Sequence, residues 1–205
     1  MADDGATMSR VMTRQLLAAG LLGLCMLLLT ACGEVEPKFK GSDITGTGLG
    51  KDLALTGTDG KPYTLASFKG KVVLAFFGFT QCPDVCPTSL AELTQVMKLL
   101  GDDAKRVQVV LISVDPERDT QEVLRAYVSG FDPSFLGLTG TAEQTKKTAA
   151  SFKAYYGKTA GAQGNYSVDH SASFYLFDGL GESRVLLSNN AGAAAIAHDI
   201  RTLLR

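Results

Sequence analysis

The chain has no surplus of charge: 20 lysines and arginines stand against 21 aspartates and glutamates, a formal net charge of -1, with the two signs interspersed. It therefore has neither a basic patch for nucleic acid nor an acidic tail, and nucleic acid is not an expected partner. Histidine is scarce, and any imidazole chemistry falls to His170 or His198. There are four cysteines: Cys25 and Cys32 lie in an N-terminal apolar region, which leaves Cys82 and Cys86 alone in the rest of the chain. No proline follows Pro133, and no internal repeat is found. Hydrophobic residues make up 45%, with ten Phe and six Tyr, enough to build the core of a single domain.

The one long apolar run, Leu16 to Ala31, follows Arg10 and Arg14 and ends in Leu29-Thr30-Ala31-Cys32. It resembles a bacterial lipoprotein signal. A spanning helix needs about twenty residues, and the small-residue end fits cleavage better than stop-transfer. Residues 1–31 are thus expected to be a signal peptide, with Cys32 lipidated at the new N-terminus and Cys25 discarded. An uncleaved single-span anchor is the alternative. Either form is membrane-anchored with residues 33 onward outside the cytoplasm; for the lipoprotein the domain faces the periplasm. Asp3 and Asp4 do not suit a positive n-region and point to a start at Met8 or Met12. Residues 33–50, poor in bulky apolar side chains and rich in Gly, Thr and Lys, read as a flexible tether to a folded domain over 51–205.

Within that domain the apolar run Val72 to Phe77 predicts a buried strand, and Leu90, Leu93, Val96, Met97 and Leu100 recur with helical period over Ser89 to Leu100. Cys82 and Cys86 occupy the turn between them. At a spacing of four on the first turn of a helix both sulfurs share a face, where free N–H groups and the helix dipole should lower thiol pKa values. Pro83 and Pro87 stiffen their presentation. Three readings compete: a structural disulfide, a redox-active dithiol and half of a soft-metal site. A loop this short removes little unfolded-state entropy, which counts against the first. In an oxidising compartment the thiols would close on each other unless a reductant or a metal held them open.

Around this centre, Leu53 to Leu55 and Tyr63 to Leu65 flank a Gly-rich turn and predict a hairpin. Strands are expected at Val107 to Val114, Phe135 to Leu138, Ala172 to Phe177 and Arg184 to Leu187. Helices are expected at Thr120 to Val128, Ala142 to Ala154 and Ala193 to Leu204. The order resembles an α/β, thioredoxin-like fold: a central mixed sheet flanked by helices, with an N-terminal hairpin extension and an inserted strand–helix unit.

Three segments, FFGFTQCPDVCPTSL, SVDPERDT at Ser113 to Thr120 and YSVDHSASFYLFD at Tyr166 to Asp178, together resemble the Sco/SenC family over about residues 45 to 205. The resemblance implies a tethered domain that binds copper through Cys82, Cys86 and His170. Independently, His170 stands just before a predicted core strand, where oxidoreductases of this fold place a cis-proline against their sulfurs. With no proline available there, an imidazole in its place favours metal capture. Two thiolates and one imidazole select copper, as Cu(I) or Cu(II), and also suit zinc, over magnesium or calcium. No fourth protein ligand is found, so a position stays open for transfer.

Asp169 is a candidate acceptor for the His170 ring, with a purely solvated role as the alternative. Asp115 is a further candidate close to the site, although Asp-Pro also starts turns, and Asp119 reads as an N-cap for the helix after it. His198 is assigned no role. Gln81 departs from the histidine that many family members carry.

The resemblance implies a copper metallochaperone for the dinuclear copper site of cytochrome c oxidase subunit II. Expected further partners are other periplasmic copper chaperones or a thiol reductant. The alternative is a thiol-disulfide oxidoreductase, with Cys82 and Cys86 as its redox-active disulfide, that keeps copper-ligand cysteines reduced or defends against oxidants; a copper sensor or buffer is a third reading.

Overall fold

The computed structural model describes residues 38–160 and 165–205. The signal peptide, Cys32 and residues 33–37 of the tether lie outside the described residues.

Strand β4 (Val72–Gly78) is buried at every position. A strand covered on both faces needs no polar alternation, yet its side chains still divide with period two. Val72, Leu74 and Phe76 enter one core, and Val73, Ala75 and Phe77 the other. Strand β5 (Val107–Ser113) runs parallel to it in register from Val72↔Val107 to Gly78↔Ser113. Strand β6 (Leu136–Thr139) extends the parallel unit. On the other side β9 (Ser173–Phe177) and β10 (Ser183–Ser188) add antiparallel strands. The hairpin of β2 (Leu55–Gly57) and β3 (Pro62–Tyr63) joins beyond β6, and β1 (Ser42–Asp43) closes the opposite edge. The eight-stranded order is β1-β10-β9-β4-β5-β6-β2-β3, the expected mixed sheet with its hairpin extension.

Helices cover both faces. Helix α1 (Val85–Leu100) contributes Leu90, Leu93, Val96, Met97 and Leu100 to the first core, beside Leu124 and Val128 of α2 (Gln121–Ser129). Helix α4 (Ala193–Leu203) adds Ile196 and Ile200 to the same core. The second core takes Ala149 of α3 (Ala142–Ser151) and Phe152, whose ring lies edge-on to Phe77 and Tyr175, each at 5.1 Å between centroids. Helix α1 ends where Gly101 turns to φ 59, a conformation that costs glycine little.

The structure corrects three expectations. Helix α1 begins at Val85, four residues before the periodic stretch, because Pro87 sits in its first turn, where a missing N–H costs nothing. The segment 38–50 is not a free tether: Ser42 and Asp43 pair with Leu186 and Val185, and the amides of Lys40 and Gly41 donate to the buried Asp199 carboxylate at 2.7 and 2.9 Å. A separate two-stranded ribbon of β7 (Tyr156–Ala160) and β8 (Tyr166–His170) has no counterpart among the expected elements. β7 shows no alternation, and that of β8 covers only Tyr166 to His170 with Val168 as its one buried side chain, a signal too short to stand out.

Candidate metal centre

Strand β4 ends at Gly78, and the chain turns through Phe79 to Asp84 into α1, which places the two cysteines differently. Cys82 lies in the turn and is half-buried; Cys86 is in the first helical turn and is fully buried. Both are free thiols. Asp84, at the N-cap, makes no side-chain cap bond, and the Cys86 amide instead donates to Cys82 Sγ at 3.4 Å. The sulfur thus takes the part of a capping oxygen at the positive end of the helix. For Cys86 the expected lowering does not occur. Burial pushes its thiol up, reinforced by its contact with Cys82. Gly78 makes that burial possible: a Cβ there would lie 2.9 Å from Cys86 Sγ and 2.8 Å from Leu111 Cδ1.

His170, at the end of β8, brings the third donor. Its Nε2 lies 3.5 Å from Cys86 Sγ and its Nδ1 lies 3.0 Å from the Ser171 carbonyl. A carbonyl only accepts, so Nδ1 carries a proton, and it is Nε2 that faces the sulfur. Phe79 packs edge-on to the ring at 5.9 Å. The ligand atoms of Cys82, Cys86 and His170 all lie within 4.8 Å of one another, close enough to hold one ion, and no fourth His, Cys, Asp or Glu joins them among the described residues.

The acidic candidates fall elsewhere. Asp169 is exposed, and the backbone carbonyl of Ser171, not Asp169, holds the imidazole. Asp115 is fully buried, bonded to Arg118 and accepting from the Tyr166 hydroxyl at 2.7 Å; it touches no ligand directly. Asp119 does not cap α2, because Thr120 does so by accepting from the Val123 amide. Asp119 is buried instead, accepting from Thr80 Oγ1 at 2.7 Å and Ser113 Oγ at 2.6 Å, and burial raises its pKa. It thereby fastens the start of the cysteine turn to β5. His198 bonds Asp199 on α4, outside the centre. Sequence reading missed Arg118, which touches both ligand-bearing segments; an arginine in a loop carries no local signal of its partners.

A pair of free thiols at a strand-to-helix turn, faced by an imidazole from a strand that precedes β9, defines a thioredoxin-like domain with a triad that could hold a metal ion. The chain belongs to the SCO1/SenC family, whose model matches residues 42–205. The mitochondrial protein SCO2 of Saccharomyces cerevisiae is 42% identical over 145 residues, covering 69% of this chain and 48% of that protein. Copper-bound ScoI of Bradyrhizobium japonicum is 38% identical with a TM-score of 0.69, covering 80% of this chain and 99% of the other. Apo Sco1 of Thermus thermophilus is 39% identical with a TM-score of 0.73, covering 83% and 99%. The chain spans about two fifths to two thirds of the length of the curated relatives it matches.

Proposed function

We propose that this protein is a copper metallochaperone that delivers copper to the dinuclear copper site of cytochrome c oxidase subunit II. The observation that carries this reading is the convergence of Cys82 Sγ, Cys86 Sγ and His170 Nε2 within 4.8 Å, with Cys82 partly open to solvent. The copper-bound relative supports the choice of ion, as does the softness of the donors. Capture of Cu(I) by two thiols releases two protons, and the neutral imidazole binds without proton loss. Transfer runs in reverse order of burial. An incoming partner thiolate takes the open position, Cys82 leaves first because it is the less buried of the two, and Cys86 follows, its buried sulfur regaining a proton readily. In the membrane-anchored form read from the sequence, Cys32 carries the lipid and the domain faces the periplasm.

The proximity of two free thiols also favours a second reading, thiol-disulfide exchange with the partner's copper-ligand cysteines. Here Cys82 attacks the partner's disulfide, and Cys86 displaces the mixed disulfide, leaving Cys82–Cys86 oxidised and the partner as a dithiol.

The test is anaerobic titration of the reduced chain, with Cys25 and Cys32 replaced by serine, with Cu(I) against a competing chelator. One-to-one binding abolished by Cys82→Ser or Cys86→Ser, and weakened by His170→Ala, is the expected result. Undiminished binding in the single-cysteine variants would sink the assignment. Weak binding indifferent to His170 would move the function to thiol exchange.

A further inference from the structure

The ribbon that carries His170 is a separate sheet from the one whose strand β4 leads into the cysteine turn, so side chains that bridge ribbon and turn help to set their separation. One side chain reaches both. Arg118, in the loop between β5 and α2, donates through Nη1 to Gln81 Oε1 at 3.0 Å and to the Tyr166 carbonyl at 3.1 Å. Gln81 immediately precedes Cys82, and Tyr166 opens the strand that ends in His170. The guanidinium carbon also stacks 3.8 Å from the centre of the Tyr166 ring, and Nε pairs with the buried Asp115, whose other oxygen accepts from the Tyr166 hydroxyl. A planar fork with five donors can hold these partners at once, which a lysine ammonium on its flexible stem cannot do. The outer edge of the ribbon is held in parallel by Lys158, 4.3 Å from the Tyr166 ring centre and 2.7 Å from Glu117.

We propose that Arg118 is a positioning residue that sets the thiol-to-imidazole separation by gripping the cysteine turn and the histidine ribbon together. The proposal rests on the metal reading above and adds the group that preorganises the third ligand. It also gives Gln81 a role, as the acceptor on the cysteine side.

The experiment compares wild type with Arg118→Ala, Tyr166→Leu and Gln81→Ala, each alone and combined with His170→Ala. Cu(II) affinity is measured by competition, imidazole coordination by nitrogen hyperfine coupling, and, with no metal present, the His170 nitrogen resonances of the reduced protein. Arg118→Ala is expected to lower Cu(II) affinity about tenfold, the lower end for loss of a group that orients a ligand. It should also reduce the hyperfine coupling and move the Nε2 resonance toward that of free imidazole. In the His170→Ala background the affinity loss should vanish, which a purely structural role would not produce. Tyr166→Leu and Gln81→Ala leave the Asp115–Arg118 pair in place, and should shift the same readouts in the same direction by less, so the test survives a folding failure of Arg118→Ala. Equal losses with and without His170, or an unmoved resonance, would overturn the proposal. If wild type bound no copper while the resonance still answered to Arg118→Ala, the metallochaperone reading would fall and the positioning role would stand.

Discussion

Gly78→Ala is the sharpest probe of how the sheet shapes the centre. The new methyl group would meet Leu111 Cδ1 at 2.8 Å and Cys86 Sγ at 2.9 Å, whereas carbon atoms in good contact sit about 3.5 Å apart. Something must therefore give by roughly 0.7 Å, in surroundings where Leu111 and Cys86 are each only 1% exposed. Overpacking of this kind costs about 1–3 kcal/mol, or a melting temperature lower by about 3 °C for each kcal/mol in a domain of this size. The more telling loss is in binding. Metal–ligand distances tolerate only about 0.2 Å, so a displaced Cys86 sulfur leaves the triad out of register with His170. The assay pairs urea unfolding of the reduced, metal-free protein with Cu(I) competition. Both the unfolding midpoint and the copper affinity should fall. A Gly78→Ala protein with wild-type midpoint and affinity would refute the argument that Cys86 is held against the β4–β5 surface.

Burial also predicts how stability depends on pH. The folded state keeps the Cys86 proton where an unfolded thiol, with a pKa of about 8.5, releases it, so folding is disfavoured progressively as pH rises above that value. The slope should approach about 1.4 kcal/mol per pH unit between roughly pH 9 and 10 and be absent in Cys86→Ala. Parallel curves for the two proteins would contradict it; above about pH 10 the half-buried Tyr127 and the buried Tyr175 add a loss of the same sign. Asp199→Ala removes the acceptor for the Lys40 and Gly41 amides. Since hydrogen bonds to charged groups are worth about 1.5–3 kcal/mol each, a loss of about 2 kcal/mol or more is expected, with the 38–43 segment newly sensitive to protease and copper binding unchanged. Unchanged cleavage there would show that the β1 pairing alone holds the segment.

Much of this protein is legible in its amino-acid sequence. The continuous apolar run of β4 and the helical spacing of Leu90, Leu93, Val96, Met97 and Leu100 are local signals, and together they place Cys82 and Cys86 at a strand-to-helix turn. Scarcity does the rest: with two histidines and no late proline, His170 is the imbalance that points to a metal. The hidden features all depend on contacts between segments far apart in the chain. Asp119 resembles a helix cap because its neighbours are helical, but Thr80 and Ser113, on separate elements, draw it inward. The ribbon that carries His170 has only the brief alternation of Tyr166 to His170, and it is held through Tyr166 by Arg118, 48 residues away. The direction of the Cys86 shift likewise reverses, because a helix start favours the thiolate while the surrounding strands exclude water, and desolvation is the larger effect. Sequence by itself determined which residues could form the centre, since element type and ligand chemistry are local properties. Tertiary structure decided how far apart those residues stand and that the Cys86 sulfur holds its proton, because distance and desolvation arise only when remote segments pack together.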